Sequence, residues 1–263
     1  MRLNTVAIAC VVLLSAATAI AQPGKPGTVL VTGSNRGLGL EFVKQYADRG
    51  WTVIATARNP EDAKELDALA TKDSKITIEK LDVLDTAAIK TLATKYQGRP
   101  IDIILNNAGV LGDMKAQALG SLDYAEFQEV MAVNVYAPLA VAEAFREHVA
   151  TSNHKKIVSL TSRSGIISLP GSRGPYFYRA SKVALNMVTR VLADDLRRRG
   201  VVAAVVSPPP TETDMLRALI GPENASFQAK PADVVAGLIK VIDGLTLENS
   251  TAPTYFDGTV LPW

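Results

Sequence analysis

Thr28 to Leu40 reads TVLVTGSNRGLGL, a β-branched apolar run that passes without a break into Gly33, Gly37 and Gly39. A helix is expected to begin around Leu40, because Leu38, Phe42, Tyr46 and Ala47 recur at helical spacing. Glycines let the chain turn sharply and approach an anion without a Cβ. The helix start beyond them offers unpaired amides and a positive dipole end. Strand, glycine turn and helix in that order predict a pyrophosphate-binding crossover. The spacing is Gly, three residues, Gly, one residue, Gly, which differs from the commoner GxGxxG; a tight turn holding no ligand is the plain alternative.

Outward from this turn, apolar runs that predict strands follow at Thr52–Thr56, Ile76–Glu79, Ile101–Leu105, Lys156–Leu160 and Val201–Val206, with Thr28–Val31 as the first. Nearly all are continuously apolar, as strands buried on both faces are. Helical spacing fills the segments between them, for example Leu185, Val188, Leu192 and Leu196. The alternation predicts an α/β fold: one Rossmann-type doubly wound parallel sheet, flanked by helices on both faces. The 263 residues are 48% hydrophobic and 21% charged, with a net charge of +2, which argues against disorder and against a nucleic-acid partner. Two histidines and one cysteine exclude a clustered zinc site or a disulfide framework.

The amino terminus reads differently. Arg2 precedes an apolar run from Val6 to Ile20, and Ala19, Ile20 and Ala21 end it with small residues, the pattern of an export signal. Residues 1–21 are expected to be a signal peptide, 22–27 a Pro/Gly spacer and 28–263 a single domain. Cys10 would leave with the signal. The run falls short of the roughly 20 residues that span a bilayer as a helix, so a membrane anchor is the weaker reading. Export to a periplasm or secretory pathway is expected; a cytoplasmic or membrane-anchored chain is the alternative.

The second strand ends Ala55, Thr56, Ala57, Arg58, where an NAD-selecting site carries Asp or Glu for the ribose 2′-hydroxyl. Arg58 and Arg36 can instead meet a 2′-phosphate, so NADP(H) is expected in preference to NAD(H). Tyr178 and Lys182 stand four apart at the start of a helical stretch, Tyr178 to Arg199, and share one face. A neighbouring ammonium is expected to lower the phenol's pKa and let it exchange a proton. Ser162 follows the Lys156–Leu160 strand, at the sheet end where α/β folds present groups to ligands.

The glycine loop, the Asn106–Gly109 run (NNAG), Asn134 within Val133–Val135, Ser162, and Tyr178 with Lys182 together resemble a short-chain dehydrogenase/reductase, from about Thr28 to the carboxyl terminus. Within that family, YFYRASKVALN (Tyr176–Asn186) and the terminal DGTVLPW (Asp257–Trp263) look like the sniffer and C-factor group of carbonyl reductases. The resemblance implies that Tyr178 is the general acid in carbonyl reduction, that Lys182 lowers its pKa and binds the nicotinamide ribose, and that Ser162 hydrogen-bonds the substrate oxygen. It further implies that Asn134 holds a relay water. Gly33, Asn35, Arg36, Gly37, Leu38 and Gly39 would bind the cofactor. So would Arg58, Asp82 with Val83 (adenine), Asn107, Ala108 and Gly109, and Thr211 and Thr213 (carboxamide). Tyr176, with Ala180 four residues on, is not the base and is placed in the pocket wall.

The chain also departs from the family's pattern. Sixteen residues separate Ser162 from Tyr178, with Leu169–Arg173 resembling an insertion, and Ser164 rivals Ser162. Gly165 favours Ser162 through the serine, two residues, glycine pattern. Pro208, Pro209 and Pro210 replace the usual Pro-Gly after the sixth strand and remove amide donors. Ser152 with Lys155 reads as a surface turn, His148 and His154 as isolated surface residues, and Arg197–Arg199 as a helix-end cluster. The sequons at Asn224 and Asn249 matter only in a glycosylating host. Surplus apolar residues such as Met187, Val188 and Val191 predict a homodimer. The pocket is expected from Leu111–Ala125 and Leu216–Pro231. The function expected is carbonyl–alcohol interconversion on a small-molecule substrate; a catalytically silent NADP(H)-binding sensor or scaffold is the rival. Reduced nicotinamide is not an expected currency outside the cell, so compartment and cofactor pull against each other.

Overall fold

Valine, isoleucine and alanine fill the runs that become strands, and their alternation sends successive side chains to opposite faces of one sheet. The structure is a computed structural model and describes residues 25–169, 174–221 and 228–263. The proposed signal peptide with Cys10, the start of the spacer, Pro170–Arg173 and the Asn224 sequon lie outside the described residues.

The strands are β1 (Thr28–Val31), β2 (Thr52–Ala57), β3 (Ile76–Lys80), β4 (Ile103–Asn106), β5 (Lys156–Leu160), β6 (Val202–Ser207) and β7 (Thr254–Tyr255). They pair in parallel in the order β3-β2-β1-β4-β5-β6-β7. The helices are α1 (Gly37–Asp48), α2 (Lys64–Lys72), α3 (Thr86–Lys95), α4 (Tyr124–Met131), α5 (Ala137–Ala150), α6 (Tyr176–Leu196), α7 (Asp214–Ile220) and α8 (Pro231–Gly244). Val29 and Val31 face a cluster with Phe42, Trp51, Leu66 and Leu238, so α1, α2 and α8 cover one side. Leu30 faces Ile89, Phe145 and Leu196 on the other, under α3, α5 and α6. The expected doubly wound α/β sheet is thus what the chain forms. Strand order reverses between β1 and β4, which opens a crevice beyond their carboxyl ends.

Some boundaries differ from expectation. α1 begins at Gly37, not Leu40, because glycine at φ +57° closes the turn early. α6 starts two residues before Tyr178 and gives way to a 3₁₀ turn at Arg197–Arg199, stopped by left-handed Gly200. β4 begins at Ile103, because the amide of Ile101 turns to the His148 carbonyl. Ser152 is buried, not superficial, with its hydroxyl on the Val149 carbonyl at 2.8 Å. β7 has no forerunner in the sequence reading. Between α4 and α5 the backbone widens into a π-turn, Ala132–Tyr136. At the opposite, amino-terminal end of the sheet, buried Asp102 accepts the amides of Thr28 (2.9 Å), Asn153 (3.0 Å) and His154 (3.2 Å). Among the described residues, no helix is long and apolar enough to cross a membrane.

Candidate active site

The glycine turn is held by its neighbours in the sheet. Thr32 accepts the amides of Asn107 and Ala108 on its hydroxyl, both at 3.1 Å, and the Asn107 side chain returns hydrogen bonds to the carbonyls of Thr32 (2.8 Å) and Gly33 (2.9 Å). Gly33 takes φ +67°, a left-handed conformation that favours glycine. A methyl group at Gly39 would fall on the Gly33 carbonyl oxygen and the Asn107 side-chain amide. The residue preceding α1, Arg36, is extended and supplies no side-chain cap, so the first amides of the helix are left for an anion. This cradle suits a pyrophosphate.

Around it the other proposed cofactor positions spread outward. Asn35, Arg36 and Arg58 are exposed, and the Arg36 guanidinium lies 3.4 Å from Asp214. Asp82 is half-buried and accepts the Leu84 amide at 3.0 Å, with Val83 half-buried beside it. Thr213 crosses the turn, its Cγ2 within 3.5 Å of where a Gly37 Cβ would stand.

The end of β5 delivers Ser162, whose Oγ accepts the Ser164 amide at 3.1 Å and starts a short 3₁₀ turn. Gly165 in that turn lets α6 pack against it: a Cβ there would stand 2.8 Å from the Cβ of Lys182. Tyr178 is buried on the first turns of α6. Lys182 donates to the Leu160 carbonyl at 2.9 Å, with Nζ 5.6 Å from the Tyr178 ring centre. Behind Lys182, Gly109 leaves room for Asn134, which is wholly buried in the π-turn. The Asn134 side chain accepts the Val110 amide and donates to the Val110 carbonyl and the Ser181 hydroxyl, all at 2.9 Å.

The electrostatics correct one expectation. Burial raises the Tyr178 pKa, with Ser162 alone pulling it back, and no lowering by Lys182 enters. Burial likewise pushes Lys182 down, to about 8, with no anion to oppose it. Both groups lose water in the same place, and each resists its charged form when the other is neutral.

Ser162, Ser164, Tyr178, Leu38, Thr211 and Thr213 line a cleft of about 340 Å³ at the carboxyl ends of the strands. Leu111 and Leu216 come from the two segments expected to form the pocket; Pro208–Pro210 and Leu169 line it as well. The first amide after Ser207 is that of Thr211, and the hydroxyls of Thr211 and Thr213 donate within their own turn. Arg58, Asp82 and the exposed Tyr176 do not line this cleft; Tyr176 sits at the first position of α6, turned to solvent.

Two residues went unread in the sequence. Buried Gln117 accepts the amides of Phe177 (2.9 Å) and Tyr178 (3.1 Å) at the start of α6. Its other end donates to the carbonyls of Leu111 (2.9 Å) and Asp113 (3.3 Å). Ser181 joins Asn134 to the Tyr178 carbonyl, to which it donates at 2.8 Å. Its place before Lys182 in YRASK was the available signal; Gln117, in an unpatterned loop, offered none.

Comparison with known proteins agrees with this fold. The C-signal of Myxococcus xanthus is 35% identical over 175 residues, covering 66% of this chain and all of that one. NADPH-bound carbonyl reductase from chicken fatty liver superimposes with a TM-score of 0.79 at 29% identity, covering 90% of this chain and 98% of that one. The carbonyl reductase Sniffer of D. melanogaster does so at 0.82 and 26%, covering 90% and 100%. The family model of the short chain dehydrogenases matches residues 27–223, from the spacer through the glycine turn, Ser162, Tyr178 and Lys182 to α7, and the chain belongs to that family.

Proposed function

We propose that the chain is an NADP(H)-dependent oxidoreductase that interconverts a carbonyl and an alcohol, with Tyr178 as the acid–base group. The observation that carries this reading is the meeting of Ser162 and Tyr178 in one cleft, with the Lys182 ammonium 5.6 Å from the Tyr178 ring centre behind them, beside a glycine turn that a Cβ would fill. Gly33, Asn35, Gly37, Leu38 and Gly39 would hold the pyrophosphate, Arg36 and Arg58 the 2′-phosphate, Asp82 and Val83 the adenine, and Asn107 to Gly109 the middle of the dinucleotide. Lys182 would hold the nicotinamide ribose, and Thr211 and Thr213 the carboxamide. When bound, the dinucleotide supplies or accepts the hydride at the carbonyl carbon.

In the reducing direction the Ser162 hydroxyl donates to the substrate oxygen, and the Tyr178 phenol, kept protonated by burial, gives it a proton. The phenolate left behind then pairs with the Lys182 ammonium, so two charges that are each costly alone compensate one another. Because Val110 and Ser181 occupy both ends of the Asn134 side chain, a relay water would rest on its main-chain carbonyl. Pro138, four residues on, has no amide to give that carbonyl.

Titration with NADPH and NADH followed by a carbonyl panel tests the reading. The expected result is NADPH-dependent reduction abolished in Tyr178→Phe; tight NADPH binding without turnover, unchanged in that variant, would establish the silent sensor or scaffold. The proline run, which strips amides from the cleft wall, is the feature favouring that rival.

We further propose a homodimer through the exposed apolar residues Tyr136, Leu139, Met187 and Val191 of α5, α6 and the π-turn, testable by light scattering. Export of the chain is proposed from residues 1–21 alone. The mass and amino-terminal sequence of the protein recovered from a native host test it.

A further inference from the structure

The cleft wall is apolar over most of its extent, through Leu111, the three prolines, Met215, Leu216 and Leu219. Among the described residues its charged members are Arg163 and Arg179, and no described residue brings a carboxylate to it. Each arginine directly follows a proposed reacting residue, Ser162 or Tyr178.

Neither guanidinium is neutralised by a described residue. Among the described residues, Arg163 rests over the Tyr255 ring at 5.7 Å and has no ion pair, and Arg179 has no side-chain partner of any kind. The two acids nearest in sequence to the prolines are committed elsewhere: Glu212 to Arg217, and Asp214 to Arg217 and Arg36. Arg179 is moreover half-buried in the first turn of α6, at the positive end of a 21-residue helix that carries no acid in that turn. A cation there opposes the helix dipole and gains nothing from the fold. An anion entering the cleft would relieve both.

We infer that the cleft takes a carbonyl substrate, or the matching alcohol, with an apolar body and a carboxylate held by Arg163 and Arg179. The planar guanidinium fork matches a carboxylate, and the apolar wall takes the body between the two polar ends. This rests on the reading of the cleft as a site of carbonyl–alcohol interconversion.

The test compares 4-formylbenzoate with its methyl ester, the intrinsically more electrophilic aldehyde, using the full protein and NADPH. The expected result is a kcat/KM at least tenfold higher for the acid. Arg179→Gln and Arg163→Gln should each lower the acid's kcat/KM at least tenfold more than the ester's, and 0.5 M salt should narrow the preference. Equal use of acid and ester, or a ratio unmoved in both variants, would overturn the inference. If neither aldehyde is reduced, the functional reading fails, and calorimetric titration of both compounds into NADP-loaded protein decides the remaining question. Binding of the acid alone, lost in Arg179→Gln, upholds the anion site; binding of neither, or of both alike, removes it.

Discussion

The amide of Tyr178 donates to Oε1 of Gln117 at 3.1 Å, across 61 positions of sequence. Through this bond the loop that follows β4 sets where α6 begins, and hence where the phenol lies. Gln117→Leu would leave two buried amides and two carbonyls unpaired, at about 3 kcal/mol, which lowers Tm by roughly 6–10 °C for a chain of this size. The kcat for carbonyl reduction should drop more than tenfold. Gln117→Glu keeps the acceptor at the helix start and loses only the donors, so it should fall between the two. Calorimetry and steady-state kinetics on both variants check the order.

Gly39→Ala and Gly244→Ala separate a glycine the turn requires from one it does not. A methyl at position 39 overlaps the Gly33 carbonyl, whereas at 244 it meets nothing within 4 Å. The first change should weaken NADPH binding more than a hundredfold in fluorescence titrations. The second should leave binding intact and change stability by about +0.5 kcal/mol, through the lost freedom of the unfolded chain.

Stability without nucleotide should rise with pH between about 8 and 10. Lys182 is held near 8 by burial against an ordinary 10.5, so the unfolded chain binds more protons in that interval and the folded state gains as pH increases. Lys156, also depressed by burial, acts with the same sign. Above pH 10 the buried tyrosines Tyr46, Tyr96 and Tyr178, all raised, reverse the trend because the folded chain keeps their protons. Lys182→Met should remove a rise of the order of 2 kcal/mol. Urea unfolding at pH 7, 8, 9 and 10 measures it, and parallel curves for the two proteins would refute the assignment.

Arg36→Ala and Arg58→Ala address cofactor choice. Both side chains are exposed, and the Arg36–Asp214 contact at 3.4 Å between exposed groups contributes little to stability. Each variant should therefore keep its Tm within a degree or two, lose about tenfold in NADPH affinity and leave NADH affinity unchanged. Equal losses for both nucleotides would place the arginines on something other than the 2′-phosphate.

The strands β1, β2, β4, β5 and β6 were legible because parallel strands buried on both faces are nearly continuous apolar runs, and a run such as Val202–Ser207 has few other uses. β3, at the sheet edge with Thr77 and Lys80 exposed, was legible only through Ile76 and Ile78. β7 was not, since two residues, Thr254 and Tyr255, are too short to show a period. Spacing put Tyr178 and Lys182 on one face, yet spacing carries no burial, and burial reversed the expected direction of the tyrosine's pKa. The π-turn at Asn134 escaped because hydrophobic periodicity does not separate a fifth-residue bond from a fourth. Gln117 escaped because its partners on α6 lie some 60 residues away, in a loop no pattern marks.

Asp102 gathers β1, β4 and the approach to β5 with one carboxylate and three amides, all at the rim away from the cleft. One edge of the molecule is therefore fastened by a fixture that takes no part in lining the cleft. Across the sheet, the segments around the ligand mouth can be lengthened, shortened or exchanged without unthreading the strands beneath them, and it is there that a chain of this design is free to acquire new substrates.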